Sequence, residues 1–255
     1  MSQDNNNNPE NDQAIADWLE SIAQSKLNAE DVQRALRYAK EIQEGLATIR
    51  TFAQGVSIFG SARFPEDHKY CKKAEELGRL LAENGHTVIT GGGPGIMQAA
   101  NKGAYEAGGR SVGLNVKLPW EQQLNPYVTD SYYFEHFFPR KVMLTYSAKT
   151  YVFFPGGFGT MDEFTEILEL IHTNKMPKMP IFLYCKSFWR PLDRYFRTKF
   201  VSKGVITAKA TSLYKMTDDI TEVVKAANKI GHPSIYDNIY NSKHTGHNID
   251  TGKEL

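Results

Sequence analysis

Residues 150–174, TYVFFPGGFGTMDEFTEILELIHTN, decide how the rest of the chain is read. The apolar, aromatic run Tyr151 to Phe154 reads as a buried strand, which Pro155, Gly156, Gly157 and Gly159 interrupt. Phe164, Ile167, Leu168 and Ile171 then recur at helical spacing. At such a junction the first N–H groups of the helix lack intrahelical partners and the dipole adds positive charge, so an anion is favoured. Glycines at 156, 157 and 159 let the main chain approach a phosphate closely, and Thr160 adds a hydroxyl donor. Asp162 and Glu163 are expected in the first helical turn, where a carboxylate complements the dipole and capping alone would account for either. Beside a phosphate loop, however, Glu163 sits about one turn on and can reach the sugar of a bound nucleotide.

Upstream, Val56 to Phe59 is expected as a core strand running into the turn Gly60, Ser61, Ala62, Arg63. A helix from near Pro65 carries Tyr70, Ala74, Leu77 and Leu81 on one face and stops at Asn84-Gly85. Thr87 to Thr90 is the next strand. It enters Gly91, Gly92, Gly93, Pro94, Gly95, Ile96, Met97, followed by a helix over Gln98 to Ala107. This cluster is not GxGxxG, and a tight turn explains it as readily as a ligand loop. Two glycine loops, each after a strand, favour the ligand.

Ser111 to Val116 reads as a third strand, Leu118 to Asp130 as a loop that can overhang the site, and Tyr132 to Phe138 as strand-like. Pro139 is expected as the first helical residue. Arg140 and Lys141 follow, and cations at a helix N-terminus oppose the dipole, so their placement calls for an anion. Arg140 is the better candidate, since it suits bidentate phosphate or carboxylate recognition, whereas Lys141 reads first as a snorkelling surface residue.

Further on, Pro180 to Tyr184 gives another strand, Pro191 to Phe200 a helix and Ile220 to Ile230 a last helix. Arg190, Arg194, Arg197 and Lys199 are read as solvated charges on an amphipathic face rather than as a single-stranded nucleic-acid surface. Ile15, Trp18, Leu19 and Ile22 form one stripe and Val32, Leu36, Ala39, Ile42 and Leu46 another, giving two N-terminal helices. They either pack on the same domain or form a homodimer contact. The expected organisation is a polar tail over 1–13, helices over 14–50, an α/β domain with a doubly wound parallel sheet over 51–230, and a polar tail over 231–255. His244 and His247 are assigned to that tail rather than to a metal site.

With 255 residues, 41% of them hydrophobic, a sizeable core is affordable, and 30 basic against 29 acidic residues leave no global field for nucleic acid or acidic membranes. Cys71 and Cys185 lack CxxC spacing, which suggests a reducing compartment. The N-terminal residues have no charged-then-apolar leader pattern, and no run reaches about 18 apolar residues, so a cytoplasmic protein without membrane spans is expected.

PGGFGTMDE at 155–163, GGGPGIM at 91–97 and PRK at 139–141 together resemble the Lonely Guy (LOG) family of nucleotide phosphoribohydrolases, over roughly Val56 to Asn228. The resemblance implies a Rossmann-like fold and a homodimer or higher assembly of dimers. It also implies hydrolysis of the N-glycosidic bond of a nucleoside 5′-monophosphate to free base and ribose 5-phosphate. The family's catalytic pair falls on Arg140 and Glu163 and its phosphate loop on Gly156, Gly157, Gly159 and Thr160. Ser61, Gly92, Gly93, Met97 and Lys141 are expected to line the substrate site. No metal or cofactor is required, and nothing supports the pyridoxal phosphate chemistry of the older lysine decarboxylase label. The base is open among cytokinin-type monophosphates, AMP and other purine or pyrimidine nucleotides. The alternatives are a non-catalytic nucleotide or molybdenum-cofactor carrier and, disfavoured by the missing GxGxxG, a nicotinamide-dependent dehydrogenase.

Overall fold

The computed structural model describes residues 9–24, 26–52, 54–118 and 123–230. The tails expected at the two ends fall largely outside these residues, as do His244 and His247. Seven strands form one sheet: β1 (Gly55–Phe59), β2 (Thr87–Thr90), β3 (Ser111–Val116), β4 (Asp130–Phe134), β5 (Thr150–Phe153), β6 (Ile181–Tyr184) and β7 (Lys215–Thr217). Every neighbouring pair is parallel, in the order β4-β3-β2-β1-β5-β6-β7. The helices are α1 (Pro9–Gln24), α2 (Ala29–Ile49), α3 (Lys69–Glu83), α4 (Ile96–Glu106), α5 (Phe137–Tyr146), α6 (Phe158–His172), α7 (Lys186–Tyr195) and α8 (Ile220–Lys229).

Central strands read as continuous apolar runs because helices cover both faces of the sheet. Successive residues of β5 and its extension alternate between two cores. Tyr151 and Phe153 pack with Met143, Phe164 and Trp189. Val152 and Phe154 pack with Leu77, Ile96 and Val223. Thus α3, α4 and α8 cover one face, and α2, α5, α6 and α7 the other. Glycines set the spacing of α3 and α4: a Cβ on Gly103 would fall 1.9 Å from the Glu75 carbonyl, and one on Gly78 2.1 Å from that of Ala100.

Several expected boundaries move. The segment expected as part of a polar tail is helical from Pro9. Asn28 caps α2 by accepting from the Asp31 N–H at 2.9 Å; of the second apolar stripe, Ile42 and Leu46 pack against the core, whereas Leu36 stays exposed. The α3 helix begins at Lys69 rather than near Pro65, because His68 N–H donates to the Pro65 carbonyl in a turn and His68 then caps the helix. The α4 helix begins at Ile96, two residues before Gln98. Strand β4 ends at Phe134 and α5 begins at Phe137, so Pro139 is the third helical residue. A missing N–H is tolerated there as well, since the whole first turn lacks intrahelical acceptors. Pro191 lies inside α7, and the chain then continues as a π-helical turn, Phe196–Val201. Strand β7 was not foreseen: three residues are too few to show an alternation.

The chain leaves β1 toward β2 on one side and returns to β5 on the other. The strand order therefore reverses at β1, opening a crevice at the carboxyl ends of β1 and β5, where α/β sheets bind ligands.

Candidate active site

Both glycine loops and the turn after β1 meet at this crevice. Phe154 N–H donates to the Phe59 carbonyl at 2.8 Å, and Ser61 N–H to the Pro155 carbonyl at 3.1 Å. The Ser61 carbonyl in turn accepts from Ile96 N–H at 3.0 Å, fastening the start of α4. Gly95 has φ +66°, and a Cβ there would fall 2.4 Å from the Ser61 oxygen. Ser61 thus joins the two loops through its backbone, while its Oγ accepts from Arg63 N–H at 3.1 Å.

The α6 helix begins at Phe158, with Gly157 as N-cap and no side-chain cap. Gly159 and Thr160 therefore belong to the first turn, and Asp162 and Glu163 to the second. The expectation of first-turn carboxylates is corrected, and dipole complementation no longer accounts for Glu163. Gly156 is constrained by Thr160, whose Oγ1 would lie 2.0 Å from an added Cβ, whereas a Cβ on Gly157 or Gly159 would meet nothing within 4 Å. The uncapped N-terminus is thus approachable along Gly157 and Gly159.

In the second loop, Gly92 has φ +71°; its N–H donates to Thr90 Oγ1 at 2.9 Å and its carbonyl accepts from Asn125 N–H at 2.9 Å. Asn125 Nδ2 donates to the Gly93 carbonyl at 3.3 Å, so the loop after β3 is tied to this one. Gly91, the first glycine of this loop, faces Arg140: a Cβ would fall 2.2 Å from Nη2 and 2.9 Å from Met97 Sδ.

Arg140 Nε donates to the Leu114 carbonyl at 3.0 Å, and Nη1 lies 3.7 Å from Glu163 Oε1. The side chains are 14% and 6% exposed. Glu163 Oε2 has no hydrogen-bond partner among the described residues. Burial pushes the Glu163 carboxyl up to about 7, with the Arg140 charge pulling against it. Burial likewise holds the guanidinium below its ordinary value, opposed by Glu163 and Asp162. Lys141, expected as a substrate contact, is turned instead toward α6, 2.9 Å from Asp162 Oδ2 and 3.3 Å from Glu166 Oε2. Burial works against its charge, yet these carboxylates more than offset it and hold the ammonium above its usual range. Phe158 stands 95% exposed at the head of α6.

Among the described residues no group of three or more His, Cys, Asp and Glu is arranged to hold a metal ion, and no helix is long and apolar enough to cross a membrane.

The architecture is that of a Rossmann-like α/β protein, with glycine loops gathered at the switch point of a doubly wound sheet. A family model described as "Possible lysine decarboxylase" matches residues 97–227, and the chain belongs to this family, the Lonely Guy (LOG) family. It is similar to the cytokinin riboside 5′-monophosphate phosphoribohydrolase of Rhodococcoides fascians, 27% identical over 186 residues, covering 71% of this chain and 92% of the relative. A probable enzyme of the same name from Oryza sativa subsp. japonica, LOG4, is 23% identical over 188 residues, covering 72% and 81%. The crystal structure of TM1055, a structural-genomics target, superposes with a TM-score of 0.51 at 24% identity, covering 70% of this chain and all of that one; this likeness concerns the fold alone.

Proposed function

We propose that this protein hydrolyses the N-glycosidic bond of a nucleoside 5′-monophosphate, a cytokinin riboside monophosphate or an AMP-like nucleotide, releasing free base and ribose 5-phosphate. The observation behind this reading is the buried Arg140–Glu163 pair, 3.7 Å apart, beside the uncapped head of α6. The names of the relatives supply the substrate class. The 5′-phosphate sits on the N–H groups at the start of α6 and the Thr160 hydroxyl, which fixes the ribose relative to Glu163.

As the C1′–N bond breaks, its electron pair leaves with the base and positive charge builds on the ribose. A carboxylate beside C1′ stabilises that charge more in the transition state than in the ground state. Water adds to C1′, and its proton balances the departing base. Arg140 opposes the effect of burial on Glu163 and keeps a fraction of the carboxylate ionised near neutral pH. A homodimer or higher assembly of dimers belongs to the same proposal.

The test is incubation of the purified protein with a panel of purine, pyrimidine and N6-isopentenyladenosine monophosphates, with chromatographic detection of products. Free base and ribose 5-phosphate in equal amounts are expected. Nucleotide binding without base release would overturn the hydrolase and leave a binding protein.

A further inference from the structure

We propose that Glu41, on the N-terminal helix α2, is a positioning residue for Arg140. The inference rests on the reading above that Arg140 serves the site, and it gives the N-terminal helices a part in the chemistry.

Helix α5 begins without a cap of its own. Its N-cap residue, His136, makes no side-chain capping bond, and its first turn contains no acid. Arg140 follows within one turn, where a cation opposes the dipole. A carboxylate 95 residues earlier in the chain supplies what α5 lacks: Glu41 Oε1 lies 2.6 Å from His136 Nδ1, and Oε2 accepts from His136 N–H at 3.3 Å. Glu41 is only 8% exposed, unusual for a glutamate and in keeping with a committed contact.

The joint is reinforced on both sides. Tyr38 packs edge-on against His136 with ring centroids 4.7 Å apart, and against Phe138 at 6.3 Å. One turn after Glu41, Gly45 lets α2 approach Met143, whose Cγ would lie 2.6 Å from an added Cβ. Glu41 thus anchors the start of α5 while the Leu114 carbonyl anchors the Arg140 side chain. Geometry set by such a supporting shell is lost when the shell is loosened.

The full-length protein tests this by a double-mutant cycle on nucleotide hydrolysis. Glu41→Ala is expected to lower kcat/KM about tenfold in the otherwise native protein but less than about twofold in an Arg140→Ala background. Glu41→Gln, which keeps an acceptor, should lose only about threefold, and it serves the same comparison if Glu41→Ala does not fold. Tyr132→Phe, which removes the neighbouring 2.5 Å contact from Tyr132 to Glu44 on α2, should leave kcat/KM unchanged. Equal losses in both backgrounds would make Glu41 a structural residue and overturn the proposal. If the native protein releases no base from any nucleotide, the hydrolase reading fails, and crystal structures of the Glu41 variants decide the positioning: loss of the Arg140 Nε–Leu114 contact supports it, and an unmoved Arg140 overturns it.

Discussion

Arg140 Nη1 stands 3.7 Å from Glu163 Oε1, with both side chains largely withdrawn from solvent, although they enter from different helices, α5 and α6. Burial favours the neutral carboxyl and the guanidinium favours the charged one, so Glu163 titrates at about 7 rather than at its ordinary 4.5.

The proposed role requires the carboxylate, which is protonated below about 7 and ionised above it. The acid limb of kcat/KM, which reports the free enzyme, is therefore expected near 7, with activity rising as pH increases. Arg140→Ala removes a neighbouring positive charge, so its limb should move to higher pH. Rates measured from about pH 5 to about pH 9 check both points. A limb near 4.5 would mean that the buried carboxyl is not the group being titrated.

Glu163→Gln keeps the shape of the side chain and removes its charge. Turnover is expected to fall at least about tenfold, ~1.4 kcal/mol of transition-state stabilisation, while nucleotide binding is largely kept. Calorimetric binding alongside steady-state rates separates the two; near-normal turnover would remove Glu163 from the mechanism.

The three glycines of the first loop should part company on substitution. In Gly156→Ala the new methyl meets Thr160 Oγ1 at 2.0 Å, so a stability loss of about 1–3 kcal/mol is expected. Gly157→Ala and Gly159→Ala meet nothing in the protein and should fold normally, with Gly159→Ala up to about 1 kcal/mol more stable through helix propensity. Both should nevertheless raise KM at least about fivefold, because the methyl intrudes where the phosphate approaches. Thermal melts and Michaelis curves read the contrast, and an unchanged KM would move the phosphate elsewhere.

Gly103→Ala tests the α3–α4 contact. Propensity alone favours alanine by about 1 kcal/mol, but its Cβ would sit 1.9 Å from the Glu75 carbonyl, which belongs to backbone and cannot rotate away. A net loss of about 1–3 kcal/mol in urea unfolding is expected, opposite in sign to the propensity scale.

Strands β1 to β3 and β5 to β6, the helices between them and the two glycine junctions are legible in local stretches of the chain. Apolar runs, 3.6-residue spacing and glycine punctuation are local signals that act within a few residues. The sequence also singled out Arg140 and Glu163. It did not reveal that α6 starts at Phe158, that Lys141 turns to Asp162 and Glu166, that Gly91 yields to a guanidinium, or that Glu41 caps α5. Apart from the start of α6, those facts depend on which element is laid against a segment after the chain has crossed the sheet. Only tertiary packing sets that contact, because no periodicity within a segment encodes what will be laid against it.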